Sequence, residues 1–140
     1  MHIEQTQVVK ALPEEVFKAY ADSEAWPKWQ TLFKSVKVTK RDGNTQYLEA
    51  EVKFLGRKSS RTEKHVMTPP EQILVEGETM GITNTTLWKF EPVPEGTRVS
   101  AALDAQLPFA LKVVGPLVKR KARADLREWL QSLAKYVEAK

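Results

Sequence analysis

Between Ser59 and Met67 the sequence reads SSRTEKHVM, and its alternate positions hold Ser59, Arg61, Glu63, His65 and Met67. In an extended strand, residues two apart share a face. A guanidinium, a carboxylate and an imidazole then stand in a row, about 6.6–7 Å from one to the next. Turned toward a cavity, such a row fixes a carboxylate or phenolate on a ligand, or moves a proton. Histidine, which titrates near neutrality, is the natural acid/base in it. Turned to water, the same row is only a solvated strand face. Ser60, Thr62, Lys64 and Val66 occupy the opposite side, and a one-residue slip of register exchanges the two sets.

Other chemistries find less support. The only histidines are His2 and His65, and there is no cysteine, so no metal site is expected. No phosphate-binding glycine loop and no arrangement of serine, histidine and aspartate stands out, and no cofactor is expected. The lack of cysteine excludes disulfides and thiolate chemistry and fits a cytoplasmic protein. A net charge of +4 is mild. Lys119, Arg120, Lys121, Arg123 and Arg127 form a basic cluster, but Asp125 and Glu128 interrupt it, as on the solvated back of a helix. Nucleic acid is therefore not the expected partner. No apolar run reaches the ~20 residues of a membrane span, and MHIEQTQVVK is unlike a signal peptide.

The 140 residues fit one domain, 1–140. His2 to Val9 alternates as a strand. LPEEVFKAYAD has the marks of a short helix: Pro13 in the first turn, Glu14 and Glu15 at the positive end, and Val16, Phe17 and Tyr20 on one face. Asp22 or Ser23 is placed to cap a second helical turn, AWPKWQTLF. Six strands follow, separated by RDGN, Gly56, TPPE, Met80-Gly81 and PVPEGT. Leu48, Ala50, Val52 and Phe54 share a face of one, Trp88 and Phe90 of another, and Val99, Ala101 and Leu103 of the last. From Pro108 the period changes. Val114, Val118, Ala122, Leu126, Leu130, Leu133 and Val137 make one stripe of a long helix, whose first turns Gly115-Pro116 should kink or interrupt. The class is α+β: an antiparallel sheet of about seven strands, with its apolar face covered by the terminal helix.

ALPEEVFKAYADSEAWPKW, TPPEQI, FEPVPEGTRVS and the closing GPLVKRKARADL, in this order and spacing, resemble the START/Bet v 1-like superfamily, and within it the bacterial polyketide cyclase/dehydrase-like branch. The resemblance spans the chain and implies a helix-grip fold, in which a curved sheet wraps a long C-terminal helix around a cavity. The glycine-rich loop of the plant Bet v 1 branch is missing. Trp26 and Trp29 would then belong to a lid, with Phe33 where the chain enters the sheet. The ligand contacts implied are Trp29, Phe33, Phe54, Arg61, His65, Trp88 and Phe90. Phe109, Val113 and Leu117 join them where the long helix opens.

Three functions follow from the resemblance and the residues together. The first is binding or transport of a hydrophobic small molecule such as a lipid, quinone or polyketide. The second is an aromatase/cyclase or dehydratase with His65 or Glu63 as acid/base and Arg61 holding an enolate oxygen. The third is a protein or RNA interaction module using the basic C-terminal helix. A monomer or homodimer is expected.

Overall fold

The computed structural model describes residues 1–54 and 56–140. Strand β1 (His2–Val9) leads into helix α1 (Pro13–Ala21) and a 3-10 helix (Ser23–Lys28). Six strands follow: β2 (Phe33–Asp42), β3 (Thr45–Phe54), β4 (Arg57–Thr68), β5 (Gln72–Thr79), β6 (Ile82–Val93) and β7 (Gly96–Ala105). The chain ends in the single turn α2 (Phe109–Lys112) and the long helix α3 (Gly115–Glu138). The strands form one curved antiparallel sheet in the order β1-β7-β6-β5-β4-β3-β2. Successive strands are neighbours from β2 to β7, and β1 closes against β7. This is the helix-grip arrangement expected from the sequence.

Local chemistry accounts for the elements. In α1, Pro13 sits where its missing N–H is no loss, Glu14 and Glu15 lie at the positive end, and Val16, Phe17, Ala19 and Tyr20 are buried. The next turn is 3-10 rather than α, with Ala25 N donating to Asp22 O and Trp29 N to Trp26 O. Pro27, inside it, has no N–H to offer an α-helical ladder. Neither expected cap operates. Asp22 makes no side-chain cap bond, and the Ser23 hydroxyl turns inward, 3.4 Å from Gln46 Nε2. The interruption of the last helix falls at Val113–Val114. Pro116 then stands in the first turn of α3, where the ring is tolerated.

The core lies between the concave face of the sheet, α1 and α3. Along α3 the buried residues are Leu126, Trp129, Leu130, Leu133, Ala134 and Val137. The helix packs over β1 and α1, and Glu138 Oε2 accepts a hydrogen bond from Lys10 N at 2.9 Å. At the other margin β2 is the open edge. It carries Lys34, Lys37, Lys40 and Arg41, and its register against β3 shifts twice, between Phe33 and Ser35 and between Val38 and Lys40. Among the described residues no helix is long and apolar enough to cross a membrane.

Candidate ligand-binding site

Strand β4 turns Arg61, Glu63 and His65 to the concave face, and the three are joined. Glu63 is the centre: Arg61 Nε donates to its Oε2 at 2.6 Å, and its Oε1 lies 2.7 Å from His65 Nε2. Arg61 spreads over two further strands, donating from Nη1 to Thr79 Oγ1 at 3.0 Å and from Nη2 to Asn84 Oδ1 at 2.8 Å. Asn84 Nδ2 in turn donates to Thr86 Oγ1 at 3.3 Å. Behind the row, Gln46 Nε2 lies 3.3 Å from both the Ala21 carbonyl and His65 Nδ1. An amide nitrogen only donates, so His65 Nδ1 accepts from Gln46 and the ring donates from Nε2–H to Glu63. The result is one chain of polar contacts from Gln46 through His65, Glu63 and Arg61 to Asn84 and Thr86.

Burial alone would push the Glu63 carboxyl up. The Arg61 charge, with the His65 hydrogen bond, outweighs it and holds the group below the ordinary carboxylate value. Burial also raises the Tyr20 phenol well above its usual value, with the Glu63 charge adding to it, so Tyr20 stays neutral.

A cavity of about 240 Å³ lies between this row and α3. Its polar end is Arg61, Glu63, Thr79, Asn84 and Thr86, and the rest is mainly apolar, from Tyr20, Trp26, Phe33, Trp88, Leu103, Leu126 and Trp129 among others. It adjoins an outer hollow of about 430 Å³, with which it shares Leu32, Lys53, Phe54, Val118, Ala122 and Asp125. The way in thus runs between the end of β3 and the first turns of α3.

Of the residues singled out in the sequence, Phe33, Phe54, Arg61, Glu63 and Trp88 line the cavity. His65 is wholly buried one layer behind, its ring stacked on Trp26 at 5.6 Å and 30°. Trp29 leans on α3 instead, parallel to Tyr136 at 5.5 Å and 17°. Phe90 is core beneath the cavity, edge-on to Phe17 at 5.5 Å. Phe109, Val113 and Leu117 are not among the lining residues. They are 86%, 84% and 66% exposed, because the break before α3 turns them out to solvent. Sequence reasoning passed over Tyr20 and Trp129 as lining residues. For Trp129 the signal was present, since Val118, Ala122, Leu126 and Trp129 follow at spacings of four, four and three. Among the described residues no three of His, Asp and Glu are gathered as a metal ion would require.

One glycine makes the polar end possible. Gly77 in β5 faces Glu63 across one strand pair and Asn84 across the other, and the Arg61 guanidinium lies over it. A Cβ at Gly77 would collide with Arg61 Nη2 and Cζ. Gly77→Ala should therefore displace the guanidinium from Thr79 and Asn84 and lower stability by about 1–3 kcal/mol. In an Arg61→Ala background the same change should be neutral or slightly stabilising, since the space is then vacant. Chemical denaturation of the four proteins measures the coupling, and equal losses in both backgrounds would contradict the steric account.

A family model described as "Polyketide cyclase / dehydrase and lipid transport" matches residues 1–138. A search of the curated proteins finds no match. Among solved structures, TTHA0849 from Thermus thermophilus is 21% identical, the match covering 99% of this chain and 98% of that one at a TM-score of 0.89. A START superfamily protein from Mycobacterium smegmatis is 22% identical, over 99% and 97% of the two chains, at a TM-score of 0.83. The Zhui aromatase/cyclase from Streptomyces sp. R1128 is 14% identical, over 99% and 93%, at a TM-score of 0.81. At these identities the structural likeness is one of fold, and it agrees with the family match along nearly the whole sequence: the chain belongs to the polyketide cyclase/dehydrase and lipid-transport family.

Proposed function

We propose that this protein binds a small, mostly apolar molecule of ring-compound size, with an uncharged oxygen of that molecule seated against Arg61 and Glu63. The observation that carries this reading is the state of the polar end. Arg61 is neutralised by Glu63 and held by three side-chain acceptors, so the site offers N–H donors without a net charge. Two of the five guanidinium N–H bonds remain for a carbonyl, phenol or enol oxygen. Apolar walls with a few fixed polar groups are what such a ligand needs. The volume of about 240 Å³ lies just under the ~300–1,000 Å³ of drug-sized sites, which favours one compact ring system over a two-chain lipid.

Three of the four tryptophans, Trp26, Trp88 and Trp129, line the cavity, so their fluorescence reports occupancy. Naphthol is the first probe, with naphthalene and naphthoate as the oxygen-free and anionic comparisons. Naphthol should quench the tryptophans at saturation and bind tighter than either comparison. Ala122→Trp, which fills the cavity from α3, should weaken binding at least tenfold, ~1.4 kcal/mol, with little change in Tm. Binding unaffected by Ala122→Trp, or strongest for naphthoate, would refute the reading.

The Glu63–His65 hydrogen bond favours a second reading, a cyclase or dehydratase in which Glu63 takes a proton from a bound ketone. Against it stands the lowered pKa of Glu63, because a general base works best with a pKa near the operating pH. Glu63→Gln separates the two: it removes any turnover that depends on the carboxylate, and by leaving Arg61 without its counter-charge it should shift binding from naphthol toward naphthoate.

A further inference from the structure

We propose that the corner formed by α2 and the first turns of α3 docks on an anionic membrane surface. Four of the protein's exposed large hydrophobic side chains, Phe109, Val113, Val114 and Leu117, fall within nine residues of sequence. Phe109, Val113 and Leu117 recur at intervals of four. Phe109 and Val113, at 86% and 84% exposed, rest on almost nothing. These are convex tips and not the walls of a groove. Side chains so placed suit penetration into a fluid apolar phase, whereas a protein partner would need a matching cavity for each.

The charges around them select the surface. From Gln106 to Ala124 the sequence holds Lys112, Lys119, Arg120, Lys121 and Arg123 and no acidic residue. Lys112, Arg120, Lys121 and Arg123 are exposed. Among the described residues only Lys121 of the five forms an ion pair, with Asp125 at 2.6 Å. A basic cluster, four of its five residues without an ion pair among the described residues, beside protruding apolar side chains matches the headgroup and acyl layers of an anionic leaflet, where each basic residue adds about fivefold to partitioning. Leu117 directly precedes Val118, which lines both the cavity and its outer hollow. The docked corner therefore sets the way into the cavity beside the bilayer. The docking itself stands on the surface alone and not on what the cavity holds.

Co-sedimentation of the full chain with phosphatidylcholine vesicles, with and without phosphatidylserine, tests this. Binding is expected only where phosphatidylserine is present, falling as salt is raised. Phe109→Ser with Val113→Ser should reduce it at least tenfold, and Arg120→Glu with Arg123→Glu should do the same. These side chains are exposed, so thermal melts of the variants should match the parent. Ala122→Trp should leave vesicle binding unchanged, so that a failure of the cavity reading and a failure of docking are told apart. The proposal is overturned by absence of binding to both vesicle types, or by binding that survives the Phe109 and Val113 changes, which would be adsorption by charge alone. It is equally overturned if the apolar corner serves self-association, seen as a concentration-dependent dimer that the same two changes abolish while vesicles bind neither form.

Discussion

Glu63→Ala should destabilise the protein by about 3–5 kcal/mol, the range for removing one partner of a buried pair. Few substitutions in this chain should cost more. The carboxylate is nearly inaccessible and satisfies Arg61 on one oxygen and His65 on the other. Its loss leaves a guanidinium over Gly77 with its counter-charge gone and an imidazole N–H with no acceptor. Equilibrium urea unfolding measures the loss, and a cost below about 1 kcal/mol would show that the row is not the buried network described. Glu63→Gln keeps the shape and one acceptor and should lie between parent and alanine variant. The pH dependence gives an independent check. The Glu63 carboxyl is held below its ordinary 4.5 in the folded protein. Its contribution is therefore fully present above that value and is lost as pH falls from about 4.5 through the lowered folded value. The stability gap between parent and Glu63→Gln should narrow over that acid range. A gap that stays constant would mean that the carboxyl is not the titrating group.

Trp129→Ala is the second large effect, expected at about 3–5 kcal/mol. Trp129 joins the two sides of the core: ring centroids lie 4.9 Å away at Trp26, 5.2 Å at Trp29 and 5.2 Å at Phe33. Deleting the indole removes edge-to-face contacts with the 3-10 helix and the start of β2 at once. Trp129→Phe should be much milder. Among the described residues the buried indole Nε1–H has no acceptor, so phenylalanine loses contact area but also removes an unpaired donor. Thermal melts of the two variants should differ by several degrees for this chain length. Equal losses would mean that the ring contacts are not what Trp129 supplies.

Much of the fold is legible in the sequence because its signals are local. The alternation of Leu48, Ala50, Val52 and Phe54, the turn residues, and the change to a four-and-three spacing after Pro108 each fix an element without knowledge of its neighbours. The site is legible only to the depth of one strand. Period two puts Arg61, Glu63 and His65 on one side, but nothing in β4 says that Thr79, Asn84 and Gly77 complete their surroundings. Those contacts depend on the register of β5 and β6, which is set by pairing across the sheet. His65 is kept from the cavity by Trp26, which lines it and stacks on the imidazole, while Gln46 holds Nδ1. The resemblance implies a cavity mouth where the long helix opens, and so at Phe109, Val113 and Leu117. A two-residue break at Val113–Val114 turns them outward, and periodicity cannot register a rotation of that kind.

The lysine-bearing margin of the sheet bears on how the protein behaves at high concentration. An edge strand invites another chain to extend the sheet, a route to aggregation and fibrous assembly. In β2 two irregularities break the flat run of N–H and C=O groups that such an extension would copy. Four basic side chains spaced along the same strand make two copies repel before they can align. The protein thus carries protection against ordered aggregation in an edge strand of its sheet, and replacing those basic residues with threonine would be the direct way to remove it.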